Sequence, residues 1–440
     1  MNTARTRTAA GIAGAAVIAL LATGCTSGSS DGAAGGDEDI TLTVTTFNTM
    51  GFEDLYTQYE EENPGITIEA TNIDSGGNAL VDWQTKQAAG AGLPDVQAVE
   101  EGWLSKVMLV SDSFTDLRDH GIEDVKDRWV PWKYEQATDP EGRVIGYGTD
   151  IGPEGLCYNT KLFAEAGLPT DRTEVAALFG GDDATWDKYF EVGAQYKDAT
   201  GRAFYDQSGF IWNAMVNQQP EGYYTEDGKL NVEGNADLEA LWGQVADGAE
   251  AGLADGQTAF EWGGGKAFTD GSFATMVCPA WMLGIVKGST ESAGGDATTG
   301  WDFADVFPGG SANWGGSFLT VPTTSEHPEE AAALAAWITE PAQQAKAFQA
   351  AGPFPSTIEA QTSEDVTGTS DLTAFFNDAP LGTALAARAE GIEAQFKGPD
   401  DSVIQEQVFG PSIQALDSGK SDGDKAWADA ITLLGQLVEE

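Results

Sequence analysis

Aromatic side chains recur beside short carboxylates and amides, at places where extended segments or turns end. Asn48 and Thr49 follow the alternating stretch Ile40–Phe47, and Glu100, Glu101 and Trp103 follow Val96–Val99. Asp150 ends the extended segment Tyr147–Asp150. The run Phe210–Asn217, FIWNAMVN, puts Trp212 beside Asn213 and Asn217. Trp281 leaves the end of FATMVC, Phe273–Cys278, with Pro279 fixing its exit, and Trp314 and Ser317 share the glycine-rich NWGGS. An indole covers the apolar C–H face of a ring, while amides and carboxylates take the hydroxyls on its rim. That combination suits a pyranose, and carboxylate–hydroxyl bonds are the stronger, charge-assisted kind. The same residues have plainer uses: Asn48 and Thr49 as helix caps, Glu100 and Glu101 as a solvated turn, Trp281 as core.

Bond-breaking chemistry is not assembled in the same way. The two histidines, His120 and His327, sit in polar turns, and no Ser-His-Asp or Cys-His set forms. No zinc spacing or calcium loop is present, so no metal, cofactor or catalytic residue is expected. Carboxylates alone can hydrolyse glycosides, so a secreted glycoside hydrolase stays open as an alternative, as does an adhesin without a small ligand.

These residues need elements to hold them. Ile40–Phe47, Ile66–Ala70 and Val96–Val99 read as strands. The helical periods carrying Phe52, Leu55, Tyr56 and Tyr59, and then Leu80–Ala89, lie between them. This β-α-β-α-β order predicts a parallel sheet with ligands beyond the carboxyl ends of its strands. After Tyr147–Asp150, the Gly- and Pro-punctuated Ile151–Gly155 interrupts regular structure and Leu156–Tyr158 begins a second body. Asn159 or Thr160 caps a short helix that Gly167 and Pro169 end, and Thr185 caps a longer one closed by Gly201. The chain crosses back near Asn313–Ser317, where glycines tolerate the dihedral changes of hinge motion, and a third time at Gly352–Ser356.

Length suits two bodies: 440 residues exceed one ordinary core. An apolar fraction of 41% with 13 Trp indicates a folded chain despite a net charge of −48. Such a field repels nucleic acid, anionic headgroups and anionic ligands, and permits neutral or cationic ones. Residues 1–24 carry Arg5 and Arg7 before an apolar run, then Leu21-Ala22-Thr23-Gly24-Cys25. This reads as a secretory signal with a lipobox-like end, and predicts lipidation of Cys25 followed by a flexible linker through residue 39.

The run Tyr158–Pro169, YNTKLFAEAGLP, resembles the extracellular solute-binding proteins of ABC sugar importers, solute-binding family 1. Longer runs are most similar to actinobacterial cellobiose and cello-oligosaccharide-binding lipoproteins: EEGW (100–103), QATDPEGRVIGYGTDIGPEGLCYN (136–159), WNAMVNQ (212–218), GSFATMVCPAWMLG (271–284), GWDFADVFPGGSANWGGSFL (300–319), AGPFPST (351–357) and FKGPDDSVIQEQVFGP (396–411). The resemblance implies an α/β, two-lobed periplasmic-binding-protein-like fold of type II. Each lobe is expected to be a mainly parallel sheet flanked by helices, with three hinge crossings between them. The implied organisation is 40–149 plus 318–352 as lobe one and 153–314 plus 357–440 as lobe two. It implies a monomer, lipid-anchored outside the cytoplasmic membrane, that delivers cellobiose or cello-oligosaccharides to ABC permease subunits; xylo- or malto-oligosaccharides are the alternatives. The expected ligand-binding set is Asn48, Thr49, Glu101, Trp103, Asp150, Trp212, Asn213, Asn217, Trp281, Trp314 and Ser317. In the resembled family's sheet the strands holding Cys157 and Cys278 are neighbours, so a bridge and two buried free thiols are both open.

Overall fold

A computed structural model of the protein describes residues 39–438. Cys25 and the signal segment lie outside the described residues. Strand β1, Ile40–Phe47, leads to helix α1, Glu53–Glu62, then β2, Ile66–Ile73, α2, Gly76–Ala89, and β3, Val96–Glu100. β1 pairs in parallel with both β2 and β3. Alternation in β1 buries Leu42 and Val44 while β2, at the sheet edge, stays largely open. Ser75 caps α2 by accepting from the Asn78 amide, and Gly90 ends it in a left-handed conformation. Helices α3, Glu101–Met108, and α4, Pro131–Gln136, follow.

Short strands β4, Tyr147–Gly148, and β5, Asp150–Ile151, carry the chain out of this sheet. The second body is built on β6, Glu154–Asn159, with β7, Thr275–Pro279, and β8, Trp301–Ala304, on either side. Strand β9, Ser317–Thr320, then returns to the first sheet, giving the order β2-β1-β3-β9-β4. The expected caps form: Asn159 accepts from the amides of Lys161 and Leu162, and Thr185 caps the helix Trp186–Thr200, which Gly201 ends.

Strand direction departs from expectation. β9 runs antiparallel to β3, so only the β2-β1-β3 part of the first sheet is parallel. In the second sheet both neighbours of β6 are antiparallel to it. A βαβ unit is local and readable, whereas β7 and β8 reach β6 only after long excursions, whose direction no periodicity encodes.

Two hydrophobic cores result. One gathers Leu42, Val44, Val99, Trp103, Phe318 and Leu334 among others; the other gathers Leu156, Tyr189, Trp212, Met276, Phe303 and Phe409. Cys157 and Cys278 are bridged, with alpha carbons 5.6 Å apart. Cys157 lies opposite Met276 and Cys278 opposite Gly155, so the two cysteines share one face of neighbouring strands, offset by two residues. Without reductant, the denatured protein should therefore show no alkylation at Cys157 or Cys278 by intact mass. Replacing both with Ser should lower stability by about 2–5 kcal/mol, read from chemical unfolding.

The crossings are tied to one another. β5 pairs antiparallel with β10, Phe354–Pro355. The Trp314 amide donates to Gly152 O at 2.9 Å. A Cβ at Gly152 would lie 1.9 Å from Trp314 O, so this glycine permits a close backbone approach. Asn313 joins three segments: its Oδ1 accepts from the Gly152 amide at 2.8 Å, and its Nδ2 donates to Glu101 Oε2 and Gly315 O, each at 2.9 Å.

Candidate functional site

A cleft of about 500 Å³ opens between the two cores, over the crossings. Such a volume lies within the usual ~300–1,000 Å³ of small-molecule sites. From the first core come Asn48 and Thr49 after β1, the Gly76–Gly77 start of α2, and Glu100–Gly102. From the second come Phe210, Asn213, Asn217, Phe260 and Trp281, with the segment Lys397–Glu406 contributing Asp401 and Gln405. Asp150 and the run Trp314–Ser317 on the crossings form the floor.

Of the expected set, Asn48, Thr49, Glu101, Asp150, Asn213, Asn217, Trp281, Trp314 and Ser317 are brought together here. Trp103 and Trp212 are not. Both are fully buried and absent from the cleft lining. Trp103 is two residues past Glu101 on α3, about 200° around the helix at 3.6 residues per turn, and packs on Trp83 at 5.7 Å. Trp212 sits on the helix Ser208–Asn217, one residue before Asn213 and therefore on another face. It packs against Phe409 at 4.8 Å and Trp242 at 5.5 Å. On that helix Phe210, Asn213 and Asn217, spaced i, i+3, i+7, share the cleft face, so Phe210 is the aromatic that the helical spacing assigns there.

The plainer uses of the polar residues are not those observed. α1 starts at Glu53 with no side-chain cap, so Asn48 and Thr49 do not cap it. Asn48 instead turns the chain at φ +50°, and its carbonyl accepts from Asn72 Nδ2 at 2.7 Å. Glu101 is buried, accepting from Gln136 Nε2 at 2.8 Å and from Asn313. Asp150 Oδ1 accepts from the Thr149 hydroxyl at 2.6 Å and from the Ser317 amide at 2.9 Å.

The aromatic wall is rigidly posed. Trp281 Nε1 donates to Trp314 O at 2.8 Å, and the two rings meet edge to face at 5.4 Å and 87°. Phe210 meets Trp314 at 4.9 Å and 75°. Along the same helix face as Phe210, a polar chain runs from Lys397 Nζ to Asn217 Oδ1, and from Asn217 Nδ2 to Asn213 Oδ1 at 2.9 Å. Asp401 is buried, with Lys397 Nζ 3.7 Å from its Oδ1 and its Oδ2 lacking a partner among the described residues. Asn313, Lys397, Asp401 and Glu406 escaped the sequence reading as site residues. The Lys397–Glu406 segment is brought in from almost 300 positions beyond α3, with Lys106 Nζ reaching Asp400 Oδ1 at 2.7 Å.

Charge at the floor is mostly acidic and crowded. Burial pushes Asp150, Glu101 and Asp401 above their ordinary values, with Lys397 or Lys133 opposing it. Lys133 is itself buried, its Nζ 3.8 Å from the centre of the Phe318 ring, and burial lowers it to about 8. Glu100 is raised to about 8 by desolvation and then by Glu406, Glu101 and Asp401, against the pull of Lys397. Glu100 comes from β3 and Glu406 from the opposite core, and they flank adjacent glycines: a Cβ on Gly76 would meet the Glu100 carboxylate at 2.9 Å, and one on Gly77 would meet that of Glu406. In an opened cleft, with the two carboxylates apart and rehydrated, Glu100 is expected to return towards 4.5. Closure then takes up a proton. Its contribution is whole below about pH 4.5 and lost as pH rises to about 8. Ligand affinity should therefore fall as pH rises through that window, by at most about tenfold per unit. Titrations across pH with Glu100→Gln should show a flatter profile; equal slopes would assign the dependence elsewhere.

The chain matches the family model described as bacterial extracellular solute-binding protein over residues 54–374. It is similar to a solved structure of an extracellular solute-binding protein of family 1, at 42% identity and TM-score 0.78, covering 90% of this chain and 99% of that one. The ABC transporter-associated binding protein of B. animalis subsp. lactis Bl-04, solved with β-1,6-galactobiose, shares the fold at 20% identity and TM-score 0.74, covering 90% and 97%. The lactose-binding protein of Rhizobium radiobacter is 28% identical over 294 residues, 65% of this chain and 66% of that protein, just under two thirds of its length. Two α/β lobes joined by paired crossings, a ligand-sized cleft over the hinge and a family match across most of the chain agree: this protein is a member of the bacterial extracellular solute-binding proteins.

Proposed function

We propose that this protein captures cellobiose or short cello-oligosaccharides for an ABC importer. It acts by binding and closure, and breaks no bond. The observation that carries this reading is the pairing of the Trp281–Trp314–Phe210 wall with hydroxyl-seeking groups from both lobes: Glu101, Asp150, Asn213, Asn217, Ser317 and Asp401. Glucose units in β-1,4 linkage have flat C–H faces for the wall and equatorial hydroxyls for the rim. A ligand held by both lobes at once favours the closed state by its extra contacts, and that shape is what permease subunits would recognise. The lactose-binding relative and the galactobiose-bound structure support a disaccharide-sized ligand. The resemblance of the longer sequence runs supports glucose in β-1,4 linkage. Cys25 would hold the protein, as a monomer, on the outer side of the cytoplasmic membrane through its lipid.

Thermal unfolding with a panel of cellobiose, cellotriose, maltose, xylobiose and lactose tests the ligand class. A ligand at 100 times its Kd stabilises by about 2.7 kcal/mol. The largest shift is expected with cellobiose or cellotriose; a larger one with maltose or xylobiose would select those sugars instead. Incubation with cellotriose should release no glucose, and release would assign a hydrolase.

A further inference from the structure

Phe260 occupies space beside Trp281 that a stacked sugar needs. Their ring centres are 6.2 Å apart and their planes 22° from parallel. A ring between two aromatic faces requires carbon contacts of about 3.5–4.0 Å on each side. The gap cannot hold one, so a sugar reaches that face of Trp281 only after Phe260 leaves.

The segment carrying Phe260 is anchored at one point and loose at another. Phe260 stands at φ +63° and Trp262 at φ +34°, a region bulky side chains rarely adopt. Gly263 and Gly264 follow at positive φ, and a side chain on either would meet nothing within 4 Å. Trp262 is buried, and its Nε1 donates to Asp206 Oδ2 at 3.1 Å. Phe260 is 42% exposed although it lines the cleft. Strained backbone next to a binding wall, with its aromatic tip half out, is the arrangement of a displaceable cover.

We propose that Phe260 is an internal competitor for the sugar. It lies on Trp281 in the empty cleft, swings off when the oligosaccharide stacks there, and so lowers affinity and sets how strongly a ligand must stack to be held. The sign distinguishes this from a wall residue: truncating a wall weakens binding, whereas truncating a competitor tightens it. Phe260 also meets Phe210 at 6.0 Å and Trp262 at 5.7 Å; with those two contacts kept in the swung position, losing the Trp281 pair from the empty state corresponds to roughly 2- to 12-fold tighter binding.

The proposal rests on the sugar-binding reading, so one arm of the test uses no sugar. Acrylamide quenching of Trp281 is taken as the difference between each protein and its Trp281→Phe counterpart. It should increase in Phe260→Ala; equal quenching overturns the cover. In the second arm, wild type, Phe260→Leu and Phe260→Ala are titrated calorimetrically with cellobiose and cellotriose. Phe260→Ala should bind roughly 2- to 12-fold tighter, with Phe260→Leu between. Equal or weaker binding by Phe260→Ala overturns the competitor role. A wild type that binds neither sugar overturns the proposed function, and the quenching arm still decides whether Phe260 covers Trp281.

Discussion

Trp281→Ala should lower cello-oligosaccharide affinity by roughly 30- to 1,000-fold, the scale of losing a buried binding hot spot of about 2–4 kcal/mol. Trp281 immediately precedes the helix Met282–Ser292, just beyond β7, and its indole is held at one edge by Trp314 O. It is only partly buried, so its truncation removes binding surface and little of the core. Melting temperature without ligand should stay close to wild type. Trp281→Phe should keep part of the affinity, since a smaller flat face remains while the bond to Trp314 O is lost. An affinity within threefold of wild type for Trp281→Ala would falsify the stacking role.

The opposite pattern is expected for Trp212→Ala. Trp212 lies at the meeting point of the helices Ser208–Asn217, Ala236–Glu250 and Gly423–Leu437, in contact with Trp242, Phe409 and Trp427. Removing a fully buried indole costs about 3–5 kcal/mol, because the site collapses only in part. Chemical unfolding should show that loss, while the folded fraction binds sugar nearly as wild type does. Trp212→Phe should cost less, since Trp212 Nε1 has no hydrogen-bond partner among the described residues. If Trp212→Ala instead lost affinity at unchanged stability, the helix would have to present Trp212 to the cleft.

These two tryptophans show where sequence reading works for such a site and where it stops. Trp281, Asn48, Glu101 and Asp150 follow strands, and a strand end in an α/β body points at the ligand side whatever the rest of the chain does. Trp212 and Asn213 are neighbours in sequence and not on the same helix face. On a helix they diverge by about 100°, and Phe210, two positions earlier, takes the cleft instead. Trp103 failed for the same reason on α3. The Lys397–Glu406 segment is legible only as part of the resembling run 396–411, because its place opposite α3 comes from long-range packing. The antiparallel β6 sheet was hidden likewise: its strands are short, and 115 residues separate β6 from β7. By contrast, the crossings are legible from their glycines, and Gly152 and Gly316 mark backbone approaches that a side chain would block.

A calorimetric titration of the purified protein with cellobiose, followed by recovery of the sugar, bears most directly on the central claim. The expected result is one site per chain, affinity lost in Trp281→Ala but kept in folded Trp212→Ala, and cellobiose recovered intact. No heat with cellobiose or any other neutral oligosaccharide, or recovery of glucose in its place, would contradict it.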